Sequence, residues 1–213
     1  MYDFYEGRIF RPPSEARSLI IQSTIGCSHN RCAFCEMYRE KKFRMRPIGD
    51  IERDLLEARR ALRRAQRIFF ADGDAFIRPA ADHAAIMALV AELFPECGRV
   101  SMYASPASIA SKTDEELSAI RASGVALLYL GLETGDDALL QKICKGATSA
   151  QIIECGRRAK AAGFAVSVTA INGLGGLEGS AAHADGTAKA VSLMKPDYFS
   201  LLTLMLEPGS DMY

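Results

Sequence analysis

The 213-residue chain lacks the features that would direct it into a membrane or out of the cell. No apolar run approaches the roughly 20 residues that cross a bilayer. The N-terminal stretch MYDFYEGRIFRPPSEARS has neither a positive-then-apolar signal pattern nor a cleavage site. We therefore expect a globular protein of the cytoplasm, in which the six cysteines are thiols or ligands and not disulfides.

Net charge is also absent, because 26 basic residues balance 26 acidic ones. The chain consequently has no overall field that would recruit nucleic acid or an anionic membrane. Its charge is locally uneven, since the stretch from Arg39 to Arg67 contains eleven basic residues and only five acidic ones. We interpret this stretch as a solvated helix face, with a polyanionic partner as the alternative.

Six apolar segments of strand length alternate with helical patterns, which indicates an α/β fold with a parallel sheet. The segments cover residues 18–24, 68–71, 100–104, 126–132, 164–170 and 198–206. Apolar residues at helical spacing predict a helix over residues 48–66. Thr113 with Glu116, and Thr148 with Gln151, have capping-box spacing and predict two further helix starts.

Six β/α units fit either a parallel barrel, complete or partial, or a doubly wound open sheet. Polar and glycine-rich residues follow each strand, and six such strand ends converging on one site favour a partial (β/α)6 barrel of the TIM type. We expect an N-terminal extension over residues 1–17 and one core domain over residues 18–213. Because no helix follows the sixth strand, we expect the chain to be a fragment.

Three cysteines lie close together after the first strand, in the order Cys27, Cys32 and Cys35 with C-x4-C-x2-C spacing. A structural zinc site would need a fourth ligand, and no second C-x2-C pair exists. His29 could supply that ligand only with strained geometry. Three thiolates suit a [4Fe-4S] cluster that keeps one iron open, while zinc and reactive thiols remain as alternatives.

This cysteine loop, the aromatic residue Phe34 before its last cysteine and the six β/α units resemble the radical S-adenosylmethionine (SAM) superfamily. The resemblance extends over most of the chain and is nearest to the branch of the elongator, methylthiotransferase and oxygen-independent coproporphyrinogen dehydrogenase domains. The usual loop spacing is x3 then x2, so the x4 gap is a departure. The resemblance implies an enzyme that reductively cleaves SAM and uses the 5′-deoxyadenosyl radical to abstract hydrogen from a substrate.

The resemblance also implies residues that contact SAM. Asp72, Gly73 and Asp74 occupy the place of the family's Gly-Gly-Glu motif, which meets the SAM amino group. Glu133 matches a contact to the ribose hydroxyls, and Lys145 matches a basic residue that pairs with the methionine carboxylate. An aspartate-rich turn is the alternative for the first motif.

Further contacts follow from the same resemblance. Ser105 and Thr169 end the third and fifth strands, where relatives place polar cofactor contacts, and Phe34 belongs to the cysteine motif. The substrate is not identified, and the implied reductant is a flavodoxin or ferredoxin. A non-catalytic iron-sulfur electron carrier, a zinc-bound interaction protein and a tRNA-modifying enzyme remain the competing interpretations.

Overall fold

The computed structural model describes residues 5–213, which form a curved parallel sheet with helices on its outer face. The strands are β1 (Leu19–Gln22), β2 (Thr24–Ile25), β3 (Arg44–Met45), β4 (Arg67–Ala71), β5 (Arg99–Ala104), β6 (Val125–Glu133), β7 (Ala165–Asn172) and β8 (Tyr198–Thr203). The helices are α1 (Ile48–Ala61), α2 (Ala80–Leu93), α3 (Pro106–Ala110), α4 (Asp114–Ala122), α5 (Asp137–Lys142), α6 (Ser149–Ala161) and α7 (Ser180–Met194).

The order of the strands decides between the two predicted architectures. The main sheet runs β1-β4-β5-β6-β7-β8, and every neighbouring pair is parallel. A doubly wound sheet reverses its strand order at a switch point, and no reversal occurs among these strands. The partial (β/α)6 barrel is therefore confirmed, with the carboxyl ends of all six strands at one mouth.

The two faces of the sheet bury different residues. Ile68 and Phe70 of β4 point outward and belong to the large core shared with the helices. Phe69, Tyr103 and Tyr129 point inward and pack edge-to-face, with ring centroids 5.2 to 6.0 Å apart. These aromatic rings fill the inside of the barrel below its mouth, so polar chemistry is confined to the strand ends.

The opposite end of the barrel is closed by the segment before β1. A short 3₁₀ turn at Pro13–Glu15 places the Glu15 carboxylate in a fully buried position. This carboxylate accepts hydrogen bonds from the Tyr129 hydroxyl at 2.6 Å, from Arg99 Nη2 at 2.8 Å and from the Ser18 hydroxyl. Burial alone would raise the pKa of Glu15, but these partners outweigh it and the pKa is lowered.

Most local predictions agree with the structure. The predicted strands overlap the observed ones, and both capping boxes, Thr113 with Glu116 and Thr148 with Gln151, form their two reciprocal hydrogen bonds. The helix predicted to reach residue 66 ends at Ala61, because Leu62 adopts an extended backbone. The expected extension over residues 1–17 is described from residue 5 onward, and its first four residues lie outside the described part.

Across residues 5–213, every helix is too short or too polar to serve as a membrane span.

We predict that Glu15→Gln lowers the free energy of unfolding at pH 7 by about 1–3 kcal/mol, because the amide loses the charge that Arg99 and two hydroxyls stabilise. A carboxyl whose folded pKa is lowered stabilises the protein above its unfolded pKa and loses that contribution as pH falls through its folded pKa. The difference between variant and wild type should therefore shrink below about pH 4.5. Urea unfolding of both proteins at pH 7 and below about pH 4.5 measures this difference in the free energy of unfolding.

Glu40→Gln, at an exposed position, is the control, and we expect it to change the free energy of unfolding by less than about 0.5 kcal/mol. A Glu15→Gln variant as stable as wild type at pH 7 would contradict the closure of the barrel by this carboxylate.

Candidate functional site

The three clustered cysteines lie on one loop, residues 26–43, whose two ends are joined by a small antiparallel ladder. Strand β2 pairs with β3 through Thr24 with Met45 and Ile25 with Arg44. The loop contacts the other side of the mouth through the Ala33 amide, which donates to the Ile143 carbonyl at 2.9 Å. We call residues 26–43 the cysteine loop.

The thiols of Cys27, Cys32 and Cys35 are half-buried and close enough to influence one another. Burial raises the pKa of all three thiols, that of Cys32 to about 11, and the positive charge of Lys145 opposes the rise at each. Within residues 5–213, no three His, Cys, Asp or Glu side chains gather as ligands of one metal ion. The thiols therefore lie close enough to affect one another's pKa, and the Lys145 cation acts on all three.

Arg39 fixes the turn that carries two of the cysteines. Its Nε donates to the Cys35 carbonyl at 3.1 Å, and its Nη2 donates to the Cys32 carbonyl at 3.0 Å. Nη2 also pairs with Asp211 Oδ2 at 2.7 Å, which connects the loop to the C-terminal segment. The Arg39 guanidinium therefore holds the backbone of both cysteines in place.

Asp72, directly after β4, holds both ends of the cysteine loop with one carboxylate oxygen. Its Oδ2 accepts from the Gly26 amide at 3.0 Å, from Lys41 Nζ at 2.9 Å and from Gln22 Nε2 at 3.2 Å. Lys41 Nζ also donates to the Arg8 carbonyl at 2.6 Å. Asp72 is fully buried, so this ion pair lies within the protein.

These contacts correct the interpretation of the basic stretch for the residues before α1, whereas Arg53, Arg59 and Arg60 lie on that helix as predicted. Arg39 and Lys41 precede α1 and therefore do not lie on a helix face. Both are bound inside the site, and Arg46 likewise pairs with the buried Asp54. The sequence showed a run of cations but could not show that Arg39, Lys41 and Arg46 each pair with a carboxylate, Asp211, Asp72 and Asp54 respectively.

Gly73 and Asp74 lie against the cysteine loop. A Cβ atom at Gly73 would stand 2.6 Å from Tyr38 Cε2 and 2.9 Å from the Cys27 Cβ, so only glycine fits. Asp74 is fully buried and accepts from the Ser105 amide at 3.0 Å, from the Ser105 hydroxyl at 2.7 Å and from the Ser28 hydroxyl. Its carboxylate thus joins the cysteine loop to the start of α3.

Glu133 and Lys145 face the loop from the opposite side. Lys145 Nζ donates to Glu133 Oε1 at 2.8 Å, and both side chains are nearly buried. Burial would lower the pKa of Lys145, but the charges of Glu133 and the nearby cysteines outweigh it and raise the pKa. Gly131 leaves the space that this pair fills, because a side chain there would collide with both groups.

The backbone at Glu133 is unusual for a residue with a side chain. Its φ is +62°, in the left-handed region, and it follows a register shift between β6 and β7. Such a conformation costs free energy and is kept where the surroundings impose it, commonly at functional sites. The shift turns the Glu133 carboxylate toward the mouth and Lys145.

The remaining predicted residues lie around this centre. Ser105 caps α3 and contacts Asp74, as described above. Thr169 is half-buried and lies beside Gly131 in the sheet register. Phe34 is half-buried and packs against the outer core. His29 Nε2 hydrogen-bonds the Cys144 carbonyl oxygen at 2.7 Å. This nitrogen is therefore engaged with the backbone, which disfavours His29 as a fourth zinc ligand.

Sequence reasoning missed several residues that the structure brings to the site. Tyr38, Arg39 and Lys41 all lie on the cysteine loop, and Ser28 lies between its first two cysteines. Their position within a few residues of the cysteines was the available signal. Two of their acidic partners lie far away in sequence, which local patterns do not reveal: Asp72, bound by Lys41, is 31 positions away, and Asp211, bound by Arg39, is 172 positions away.

Solved structures with a similar fold include three enzymes. Coproporphyrinogen III oxidase (HemN) from Escherichia coli has a TM-score of 0.64 and 20% sequence identity over 91% of this chain and 46% of its own. Methylornithine synthase (PylB) has a TM-score of 0.64 and 18% identity over 92% and 55%. The cobalamin-dependent S-adenosylmethionine radical enzyme OxsB, solved with SAM bound, has a TM-score of 0.67 and 18% identity over 91% and 34%.

At these identities the likeness concerns the fold, and the chain spans about half the length of HemN and PylB. A comparison with curated proteins finds no match. The model of the Radical SAM superfamily matches residues 21–183, which include the cysteine loop, the DGD segment after β4 and the Glu133–Lys145 pair. The chain therefore belongs to the radical SAM superfamily.

Proposed function

We propose that this protein binds one [4Fe-4S] cluster through Cys27, Cys32 and Cys35 and cleaves SAM reductively to abstract hydrogen from a substrate. The observation that carries the proposal is the arrangement of the mouth. Three half-buried thiols on one loop face two acidic residues, Asp74 and Glu133, on other strand ends. Members of the superfamily use a [4Fe-4S] cluster and SAM, and OxsB has been solved with SAM bound.

The donor set fits a cluster better than a single ion. A [4Fe-4S] cluster takes each thiolate on a different iron, so its ligands do not need to converge on one point. Cys27 and Cys35 both affect the pKa of Cys32, so the three thiols lie near one another, as shared ligation of one cluster requires. Buried thiols bind as thiolates only when positive charge compensates them, which the iron and Lys145 would supply.

Two buried polar atoms at the site lack hydrogen-bond partners, which supports the proposal that the site binds additional groups. Within residues 5–213, Asp72 Oδ1 and the Tyr38 hydroxyl have no hydrogen-bond partner. Buried polar groups are nearly always paired with protein, water or ligand. Asp72 Oδ1 can only accept and the Tyr38 hydroxyl can donate. Together they suit two bound groups, the ammonium of SAM and the anionic sulfur of a cluster.

The residues around SAM would act by charge and hydrogen bonding. We propose that Asp72 and Asp74 accept from the SAM amino group, with Gly73 allowing close approach of the backbone. Glu133 would accept from the ribose hydroxyls, and Lys145 would pair with the methionine carboxylate. Ser105 and Thr169 would add polar contacts, and Phe34 would stabilise the loop by packing.

The cluster, when bound and reduced, supplies the electron that cleaves SAM into methionine and a 5′-deoxyadenosyl radical. The chain's own contribution is to hold the thiols in place through Arg39 and Asp72. Below them, the inward aromatic rings of Phe69, Tyr103 and Tyr129 exclude water from the barrel.

We propose that residues 18–213 act as one radical SAM core domain preceded by the extension over residues 1–17. A flavodoxin or ferredoxin is the proposed reductant, and the substrate is not identified. All six cysteines are free thiols, which fits a reducing compartment, so we retain the cytoplasm as the proposed location. The structure gives nucleic acid no added support, because three cations of the basic stretch bind internally.

We predict that changing Cys27, Cys32 or Cys35 to Ala removes most of the iron and the visible charge-transfer absorption after anaerobic reconstitution. Each variant deletes one of the three proposed thiolate ligands, and the cysteine loop has no further cysteine to replace it. Iron analysis and the absorption spectrum measure the loss. Cys144→Ala, an exposed cysteine beside the loop, is the matched control and should retain both signals.

Full iron retention in all three loop variants would contradict the ligand assignment. Stoichiometric zinc in place of iron after expression and reconstitution would support the competing zinc interpretation.

We predict that Asp74→Asn and Glu133→Gln keep the cluster but weaken SAM binding by about 1–3 kcal/mol, or roughly 5- to 150-fold in Kd. Each substitution removes a buried charge that would accept hydrogen bonds from SAM. Anaerobic calorimetry measures the Kd, and iron content confirms that the cluster remains. Asp50→Asn on the surface of α1 is the control. Unchanged affinity in both site variants would contradict their assignment to SAM.

A further inference from the structure

Tyr38 is held rigidly beside the cysteines, three residues after the last of them. Its ring packs edge-on against Phe10 with centroids 5.5 Å apart, and Lys41 Nζ lies 5.7 Å from its centroid. On the side of Gly73, no space remains for even a Cβ atom. The side chain is 3% exposed, so these contacts fix the direction of its hydroxyl.

The Tyr38 hydroxyl is buried and lacks a hydrogen-bond partner in the part of the chain that the structure describes. Tyrosine hydroxyls that are buried usually find one. None of the three contacts that hold the ring uses the hydroxyl, so a phenylalanine could make the same packing contacts. The unpaired hydroxyl therefore indicates a partner other than the residues that the structure describes, and a bound group is the candidate that the site offers.

The surroundings of Tyr38 indicate the chemistry of that partner. Burial raises the pKa of the Tyr38 hydroxyl far above its ordinary value, and Tyr103, Asp72, Cys27 and Cys35 raise it further. A phenol at its ordinary pKa of about 10 is already neutral at pH 7, so the hydroxyl offers a proton for hydrogen bonding. A Cβ position at Gly73 lies 2.6 Å from Tyr38 Cε2 and 2.9 Å from the Cys27 Cβ, so the Tyr38 ring lies beside a proposed cluster ligand. A cluster bound there would bring sulfur atoms as hydrogen-bond acceptors.

We propose that the Tyr38 hydroxyl donates a hydrogen bond to a sulfur of the bound cluster, either an inorganic sulfide or a ligating thiolate. Tyr38 is then a positioning residue that sets the reduction potential. This inference rests on the proposed function, because it requires the cluster. The other unpaired atom, Asp72 Oδ1, can only accept and cannot take this role.

The proposed hydrogen bond has a measurable consequence. Reduction adds negative charge to the cluster, so a donor to its sulfur stabilises the reduced form more than the oxidised form. Loss of the hydroxyl should make the reduction potential more negative. The binding of SAM should be unaffected, since the hydroxyl does not touch it in this account.

The test is Tyr38→Phe, which keeps the ring and its packing. We expect the reconstituted variant to bind as much iron as wild type and to show a three- to tenfold lower ratio of reduced to oxidised cluster at a fixed solution potential. A tenfold change corresponds to about 59 mV for one electron. Redox titration followed by electron paramagnetic resonance measures the ratio, and calorimetry measures SAM affinity.

Tyr198→Phe, the same change at an exposed tyrosine of β8, is the control and should leave the potential unchanged. An unchanged reduction potential in Tyr38→Phe would overturn the proposal. If SAM affinity then falls, SAM is the partner of the hydroxyl. If SAM affinity also stays constant, the partner is water. Wild-type iron content is measured first, so that absence of a cluster, which would refute the proposed function itself, is recognised separately.

Discussion

The shared carboxylate oxygen of Asp72 is the contact on which the arrangement of the site depends. It binds the Gly26 amide at the start of the cysteine loop and Lys41 near the loop's end. A loop of this length has a large conformational freedom, and a buried ion pair that closes it removes much of that freedom. The pair of strands β2 and β3 continues the same closure, so the cysteines are presented by a nearly fixed loop.

The barrel separates packing from chemistry along its axis. At one end the Glu15 carboxylate bonds Tyr129 and Arg99, and the aromatic rings fill the interior above it. At the other end the strands finish in Asp72, Asp74 and Glu133, which face the cysteine loop. The proposed radical reaction would benefit from this division, because its polar groups lie at the strand ends above a packed aromatic interior.

Much of the fold was predictable because its signals are local. Buried parallel strands appear as apolar runs, and the boxes at Thr113 and Thr148 need residues only three positions apart. The apolar pattern alone fits both a barrel and a doubly wound sheet, and the polar residues after all six strands favoured the barrel. The strand order, a property of the whole sheet, confirms that prediction. In the site, the spacing of the cysteines was visible, but the pairing of Lys41 with Asp72 was not, because a lysine in a basic run looks solvated.

The central claim is that the cysteine loop forms a catalytic radical SAM centre. The most direct test is to reconstitute the protein with iron and sulfide, reduce it with dithionite under anaerobic conditions, add SAM and measure 5′-deoxyadenosine. A radical SAM centre should form 5′-deoxyadenosine and methionine in equal amounts, even if slowly without substrate, and the cysteine variants should form neither. Iron-loaded, reduced protein that forms no 5′-deoxyadenosine, and whose electron paramagnetic resonance spectrum does not change on adding SAM, would contradict the claim and favour an electron carrier.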